Sequence, residues 1–198
     1  MTTIILSGKA LHDLATGAAV FAGDRDAPPA LRCVELQADS KTLTVRVTDR
    51  YRALVGTTVA GEDSSGEPIT VLVDAKWLVG AAKLYKADTR VTLELTDTLV
   101  SVSTLSGGQS RETLTDAQFP GIDKLFAQWT EAVATETVAF NPEFLADIAK
   151  IPAKLHAGRS AGVAPIRLQL RGENKPATFT IEADTVKWRG MVMPVRVN

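Results

Sequence analysis

Val71-Leu72-Val73-Asp74-Ala75-Lys76-Trp77-Leu78 joins a short aliphatic run to an amphipathic stretch through one aspartate. Aspartate accepts a hydrogen bond from a free amide at a helix start, so the stretch reads as strand, cap, helix, with the helix expected over 75–86. The same order of residues recurs twice. Ile4-Ile5-Leu6 is followed by Ser7 and a helix expected over 9–22. Val138-Ala139-Phe140 is followed by Asn141 and a helix expected over 142–151, whose Pro142 falls where a missing amide costs nothing. The caps stand at 7, 74 and 141, and the differences 74 − 7 and 141 − 74 are both 67. A constant interval of this size marks repeated supersecondary units.

Strand patterns follow each helix. In the first unit they cover 31–37, 42–48 and 51–59. In the second, Val91, Leu93 and Leu95 alternate with polar residues, as do Val100 and Val102, and a third strand is expected over 111–115 after a Gly107-Gly108 turn. In the third, Ile166, Leu168 and Leu170 oppose Arg167, Gln169 and Arg171. Ala177, Phe179 and Ile181 repeat the alternation, and 186–197 closes the chain. A period of two implies antiparallel sheets with one wet face. The expected class is α+β: a β-α-β-β-β unit taken three times, with helices on one face of the sheets.

The helices distribute charge in a consistent way. Leu78, Ala81, Ala82 and Tyr85 share one face of the second, with Lys76, Lys83 and Lys86 opposite. Phe144, Leu145 and Ile148 form the apolar face of the third, with Lys150 away from it. Pro152 is expected to end or kink that helix, and Lys154, His156 and Arg159 carry the positive charge onward. On the first, Leu11, Leu14 and Ala18 face inward, Lys9, His12 and Thr16 outward, and Arg25 follows in the next loop. Lysines on one exposed helix serve solubility. Acids here lie mostly in loops and strands, such as 62–67, so the three helices together suggest a basic layer.

Composition narrows the function further. The chain has 198 residues, 45% of them hydrophobic, and a net charge of −1, which by itself gives no hint of nucleic acid. No apolar run approaches the roughly 20 residues of a membrane span, and the first residues lack the pattern of a signal peptide. The single Cys33, in an apparent strand, reads as a buried structural thiol and fits a reducing, cytoplasmic compartment. With two histidines in different units no metal cluster is expected, and no Cys-x-x-Cys, His-Glu-x-x-His or phosphate-loop pattern occurs. Asp49 has no partner carboxylate or base spaced near it and reads as the cap of a strand turn. Neither an enzyme nor a cofactor is expected; a small enzyme on an α+β scaffold is the weakest of the readings weighed.

The last stretch, Met191-Val192-Met193-Pro194-Val195-Arg196-Val197-Asn198, is apolar and holds a proline in a β-branched run. Termini are usually polar and loose. This one is expected to dock in a sheet, to line a groove, and to lie beside Thr48-Asp49-Arg50-Tyr51-Arg52.

That upstream pentapeptide resembles the peptide-groove turn in the middle domain of the bacterial replicative sliding clamp, the β subunit of the replicative DNA polymerase. Gln118-Phe119-Pro120-Gly121-Ile122 is similar to the connector leaving the family's middle domain. Phe140-Asn141-Pro142-Glu143-Phe144-Leu145 is similar to the entry into its last half-domain, and Val192-Met193-Pro194-Val195-Arg196-Val197 to its C-terminal ending. The resemblance implies the DNA-clamp fold and a processivity factor for DNA replication that encircles duplex DNA without sequence preference. It implies a groove for polymerase and clamp-loader peptides formed by Thr48, Arg50, Tyr51 and Arg52, by Pro120 and Leu125, and by Met191, Val192, Met193, Pro194, Val195 and Arg196. Methionines give such a groove a soft lining, and Arg52 and Arg196 are expected to orient polar groups of the peptide. Lys9, Arg25, Lys76, Lys83, Lys86, Lys150, Lys154 and Arg159 are the expected DNA contacts.

The chain departs from the family in following its arginine with Ala53-Leu54 and in its length. Residues 1–126 read as a complete domain of two repeats and 132–198 as a single repeat. The family ring has twelve half-domains, so four such chains would complete it as a homo-oligomer. The alternative is a clamp-derived module that sequesters clamp partners without encircling DNA.

Overall fold

All three caps act as caps. Ser7 Oγ accepts from the Ala10 amide at 3.1 Å, Asp74 Oδ1 from Trp77 at 2.7 Å, and Asn141 Oδ1 from Glu143 at 2.9 Å. The computed structural model describes residues 1–128, 138–155, 166–172, 174–182 and 185–196. The first unit comprises β1 (Thr2–Ser7), α1 (Gly8–Ala19), a 3-10 turn (Pro29–Arg32), β2 (Cys33–Ala38), β3 (Thr42–Thr48) and β4 (Arg52–Val59). The second comprises β5 (Ile69–Asp74), α2 (Ala75–Ala82), β6 (Arg90–Leu95), β7 (Leu99–Thr104) and β8 (Gly107–Glu112). α3 (Ile122–Gln128) leads to α4 (Pro142–Leu155), β9 (Arg167–Gln169), β10 (Ala177–Glu182) and β11 (Lys187–Val192).

The first two units exchange their opening strands. β1 leaves its own unit to pair with β6, giving a four-stranded sheet β1-β6-β7-β8, and β5 pairs with β2. The second sheet runs β5-β2-β3-β4-β11-β10-β9, antiparallel throughout, so the third unit extends the sheet of the first across the β4–β11 pair. α1 packs between α2 and α4. One core unites all three units, from Ile4 and Leu14 through Val91 and Leu93 to Ile148, Phe179 and Trp188. Trp188 is wedged between two glycines. A Cβ on Gly17 of α1 would stand 2.3 Å from its ring and one on Gly56 of β4 2.6 Å, so only glycine leaves room for the indole. Burying an aromatic of this size is worth several kcal/mol, which fixes β11 against β4 and α1.

Several expectations need correction. Pro152 does not end its helix: α4 continues to Leu155, because Ile148 and Ile151 are buried in the core and hold the helix across one missing amide. Thr16 faces inward at 8% exposure, its hydroxyl satisfied by the His12 carbonyl at 2.8 Å. Gly107 and Gly108 are not the turn but the start of β8, which ends at Glu112; a Cβ on Gly108 would meet Ser103 across the ladder at 2.6 Å. Leu168 is 38% exposed because β9 is a short edge strand. β11 stops at Val192, and Met193-Pro194 lies beyond it, where the proline has no amide to give a ladder.

Candidate functional site: the Tyr51 turn and the chain's last strand

The turn between β3 and β4 is built by side chains that read its backbone. Asp49 Oδ1 accepts from the amides of Tyr51 (3.0 Å) and Arg52 (2.8 Å), and Thr48 Oγ1 donates to the Arg52 carbonyl at 2.7 Å. Arg50 adopts φ +82°, the tight step the turn requires. Asp49 is therefore a cap, as its lack of chemical partners suggested.

Arg52 is committed inward. It is 8% exposed, its guanidinium bonds Asp49 Oδ2 (Nε at 2.9 Å) and Asp147 Oδ2 of α4 (Nη1 at 2.6 Å), and it stacks 4.9 Å from Phe21 and 4.6 Å from Phe144. Those carboxylates use the donors that were expected to orient a peptide, so Arg52 sets the turn and ties it to α4. Partial burial pushes the Asp147 carboxyl up, but hydrogen bonds and charge from Lys150 and Arg52 outweigh this and hold it below the usual carboxylate range. Arg52, Phe21, Phe144 and Asp147 meet only in space. The apolar assignment of Phe144 was the one signal in the chain that pointed to this cluster.

β11 delivers the tail to the turn. Val192 pairs with Arg52 and Met191 with Ala53, and the Met193 amide donates to the Tyr51 carbonyl at 3.0 Å. Val195 bridges Ala139. The residues then separate by burial. Thr48 and Val192 are buried; Met191 joins Ala53, Val55 and Ile122 in a small outer core under Phe119 and Phe126. Arg50, Tyr51 (61%), Pro120, Leu125 (41%), Met193 (37%), Val195 (42%) and Arg196 are exposed, and Pro194 is half-buried. α3 is pinned over the outer face of the sheet by Asp123, which accepts from Arg46 of β3 at 2.8 Å and from Arg189 of β11 at 2.6 Å. Burial pushes the Glu35 carboxyl beside Arg46 up, against the pull of that guanidinium.

A cavity of about 450 Å³ opens beside the turn, between Asp49–Arg52, the 22–28 loop, Leu31 and Phe144. Tyr51 and Phe144 stand 6.1 Å apart, ring centre to ring centre. The hollow thus lies on the α4 side of the turn, and the tail residues do not line it. This cavity is therefore distinct from the slot expected between the tail and Tyr51.

The basic residues fall on the helical layer and its loops. Arg25, Lys76, Lys83, Lys86 and Lys150 are exposed. The Lys9 amide bonds the Ala87 carbonyl at 3.0 Å, which sets the start of α1 beside the lysines after α2. Lys9 also bonds Asp13 at 2.7 Å, and Lys150 bonds Asp147 at 2.5 Å. Lys154 lies in α4, and Arg159 falls outside the described residues. No described helix is long and apolar enough to cross a membrane.

Two exchanged strand-helix units, a sheet carried into a third unit and α1, α2 and α4 gathered on one side define a DNA sliding-clamp fold. A Pseudomonas aeruginosa DNA polymerase sliding clamp superposes with a TM-score of 0.78 at 15% identity over 99% of this chain and 67% of its own. The Thermotoga maritima DNA polymerase III beta subunit gives 0.75 at 15% identity over 100% and 66%. A. fulgidus PCNA gives 0.67 at 12% identity over the full length of both chains. Residues 5–121 match the family model of the DNA polymerase III beta subunit, central domain, and the chain belongs to that family. It spans 64% to 67% of the length of the bacterial clamps it matches.

Proposed function

We propose that this chain is a processivity factor for a DNA polymerase: it encircles duplex DNA as a homo-oligomeric ring in the cytoplasm and docks partner peptides at the Tyr51 turn, with no catalysis of its own. Residues 1–126 act as the two-repeat domain and 132–198 as the single repeat. The observation that carries the docking reading is the seat of Met193. Its amide is used by the Tyr51 carbonyl while both side chains stay exposed, so two apolar anchors lie side by side where β4 begins and β11 ends. Val195, Arg196 and Leu125 extend that surface, and the cavity beside Phe144 offers depth for one apolar side chain. Ligands recorded on the relatives agree in kind: A. fulgidus PCNA holds the C-terminal region of FEN-1, and a P. aeruginosa clamp holds griselimycin.

Exposed lysines on the helical layer suit loose, sequence-independent contacts to phosphate, which weaken steeply with salt. Docking is tested with a clamp-binding peptide. Tyr51→Ala and Met193→Ala each weaken it about tenfold or more, as truncated interface anchors do; unchanged affinity in both overturns the site. Encirclement is tested by retention on circular but not linearised DNA with a loader present, and ring size by light scattering. The exposed apolar pair Tyr51 and Met193 equally serves a second reading, a non-encircling module that sequesters clamp partners. It predicts peptide binding with a strict monomer and no retention on circles.

A further inference from the structure

A second cleft has no part in the function above. About 720 Å³ in volume, it lies where the open edge of β8 faces the 3-10 turn and the start of β2, and it is lined by Arg32, Cys33, Asp74 and Arg111 among others. That is ample for a small organic ligand. Val100, the cross-strand neighbour of Arg111, is fully buried, so the Arg111 side chain leaves β8 on the core side of the sheet, toward the gap. Arg32 enters from the opposite wall. Among the described residues neither guanidinium has a hydrogen bond or an ion pair. Both line the cleft together with Cys33 and Asp74.

Two carboxylates, Asp74 and Glu112, also line the cleft. Asp74 Oδ1 accepts from the Trp77 amide at 2.7 Å as the cap of α2, and among the described residues neither carboxylate forms an ion pair with Arg32 or Arg111.

The internal repeat supplies a control. The equivalent cleft of the first unit, about 540 Å³, lies beside the Ser7 cap, with Thr58, Arg90 and Thr185 on its walls. There the arginine is settled internally: Arg90 pairs with Asp63, and the Thr58 hydroxyl donates to the Thr185 carbonyl at 2.7 Å. A hole at this position is a property of the repeat. Two unpaired arginines in it are not, and the fold gains nothing from them.

We propose that the cleft between β8 and the 3-10 turn binds a small oxyanionic ligand, one carrying phosphate or carboxylate groups, through Arg32 and Arg111. Guanidiniums grip both groups through paired, charge-assisted hydrogen bonds. The site is independent of DNA and peptide docking and stands whether or not the chain encircles DNA.

Titration calorimetry compares sodium pyrophosphate and citrate at ionic strength matched with chloride, and which probe gives saturable heat assigns phosphate or carboxylate. Arg111→Gln and Arg32→Gln each weaken binding at least about tenfold, whereas Arg90→Gln in the twin cleft leaves it unchanged. No saturable heat with either probe overturns the proposal. So does binding that survives unchanged in both arginine variants.

Discussion

Gly17→Ala tests how the third unit is held, and its sign depends on one side chain. In an isolated helix the change stabilises by about 0.5–1 kcal/mol, because alanine loses less backbone freedom. Here the new Cβ would lie 2.3, 2.5 and 3.1 Å from three carbons of the Trp188 ring. The near atoms belong to a rigid indole that is 2% exposed and flanked on its other side by Gly56, so it cannot step aside. Overpacking of this kind costs about 1–3 kcal/mol, and the clash wins by roughly 1–2 kcal/mol. In a Trp188→Leu background, itself destabilised by lost burial, the obstruction is gone and Gly17→Ala becomes neutral or stabilising. Urea unfolding of the four proteins, followed by far-ultraviolet circular dichroism, gives the coupling, expected at about 1–3 kcal/mol. The wild-type variant should also bind a clamp peptide more weakly, since β11 carries Met193 to Tyr51. If Gly17→Ala stabilises the wild type, or costs the same with and without Trp188, the packing that seats β11 is wrong.

Asp49→Ala removes the acceptor of two turn amides and one partner of the Arg52 guanidinium, so stability should fall by about 2–4 kcal/mol, with peptide affinity falling too; thermal melting and peptide titration check both. Because the folded pKa of Asp147 is lowered, its pairs with Arg52 and Lys150 contribute stability above its ordinary value of 3.8 that is lost as pH falls through the lowered one. Asp147→Asn should flatten that part of the acid-unfolding curve while lowering stability at neutral pH. Each of Lys76→Ala and Lys83→Ala should reduce the salt dependence of DNA binding by about 0.9 in log–log slope if that lysine contacts a phosphate; slopes unchanged in both remove these residues from the DNA surface.

The repeat was legible because it is written in local chemistry. A cap acts on an amide two or three residues away, and Ser7, Asp74 and Asn141 each do so at the positions read from the chain. Alternation likewise reported most of the strands. Elements that fail to follow their pattern do so under forces from elsewhere: the core carries α4 past Pro152, and Thr16 is buried once α1 is packed into the fold. At the site, the pairing of the tail with the Tyr51 turn was foreseen from resemblance. The hollow's position was not, since it depends on where Phe144 and the 22–28 loop come to rest.

Period, caps and the inward faces of the strands are thus properties of the amino-acid order itself, because hydrogen bonding and alternation act over a few neighbouring residues. Strand exchange between the first two units and the junction of β4 with β11 are decided by the folded whole. So is the inward turn of Arg52 onto Phe21, Phe144 and Asp147. These contacts join residues far apart in the chain, and they form only where shape permits, as with the slot that two glycines leave for Trp188.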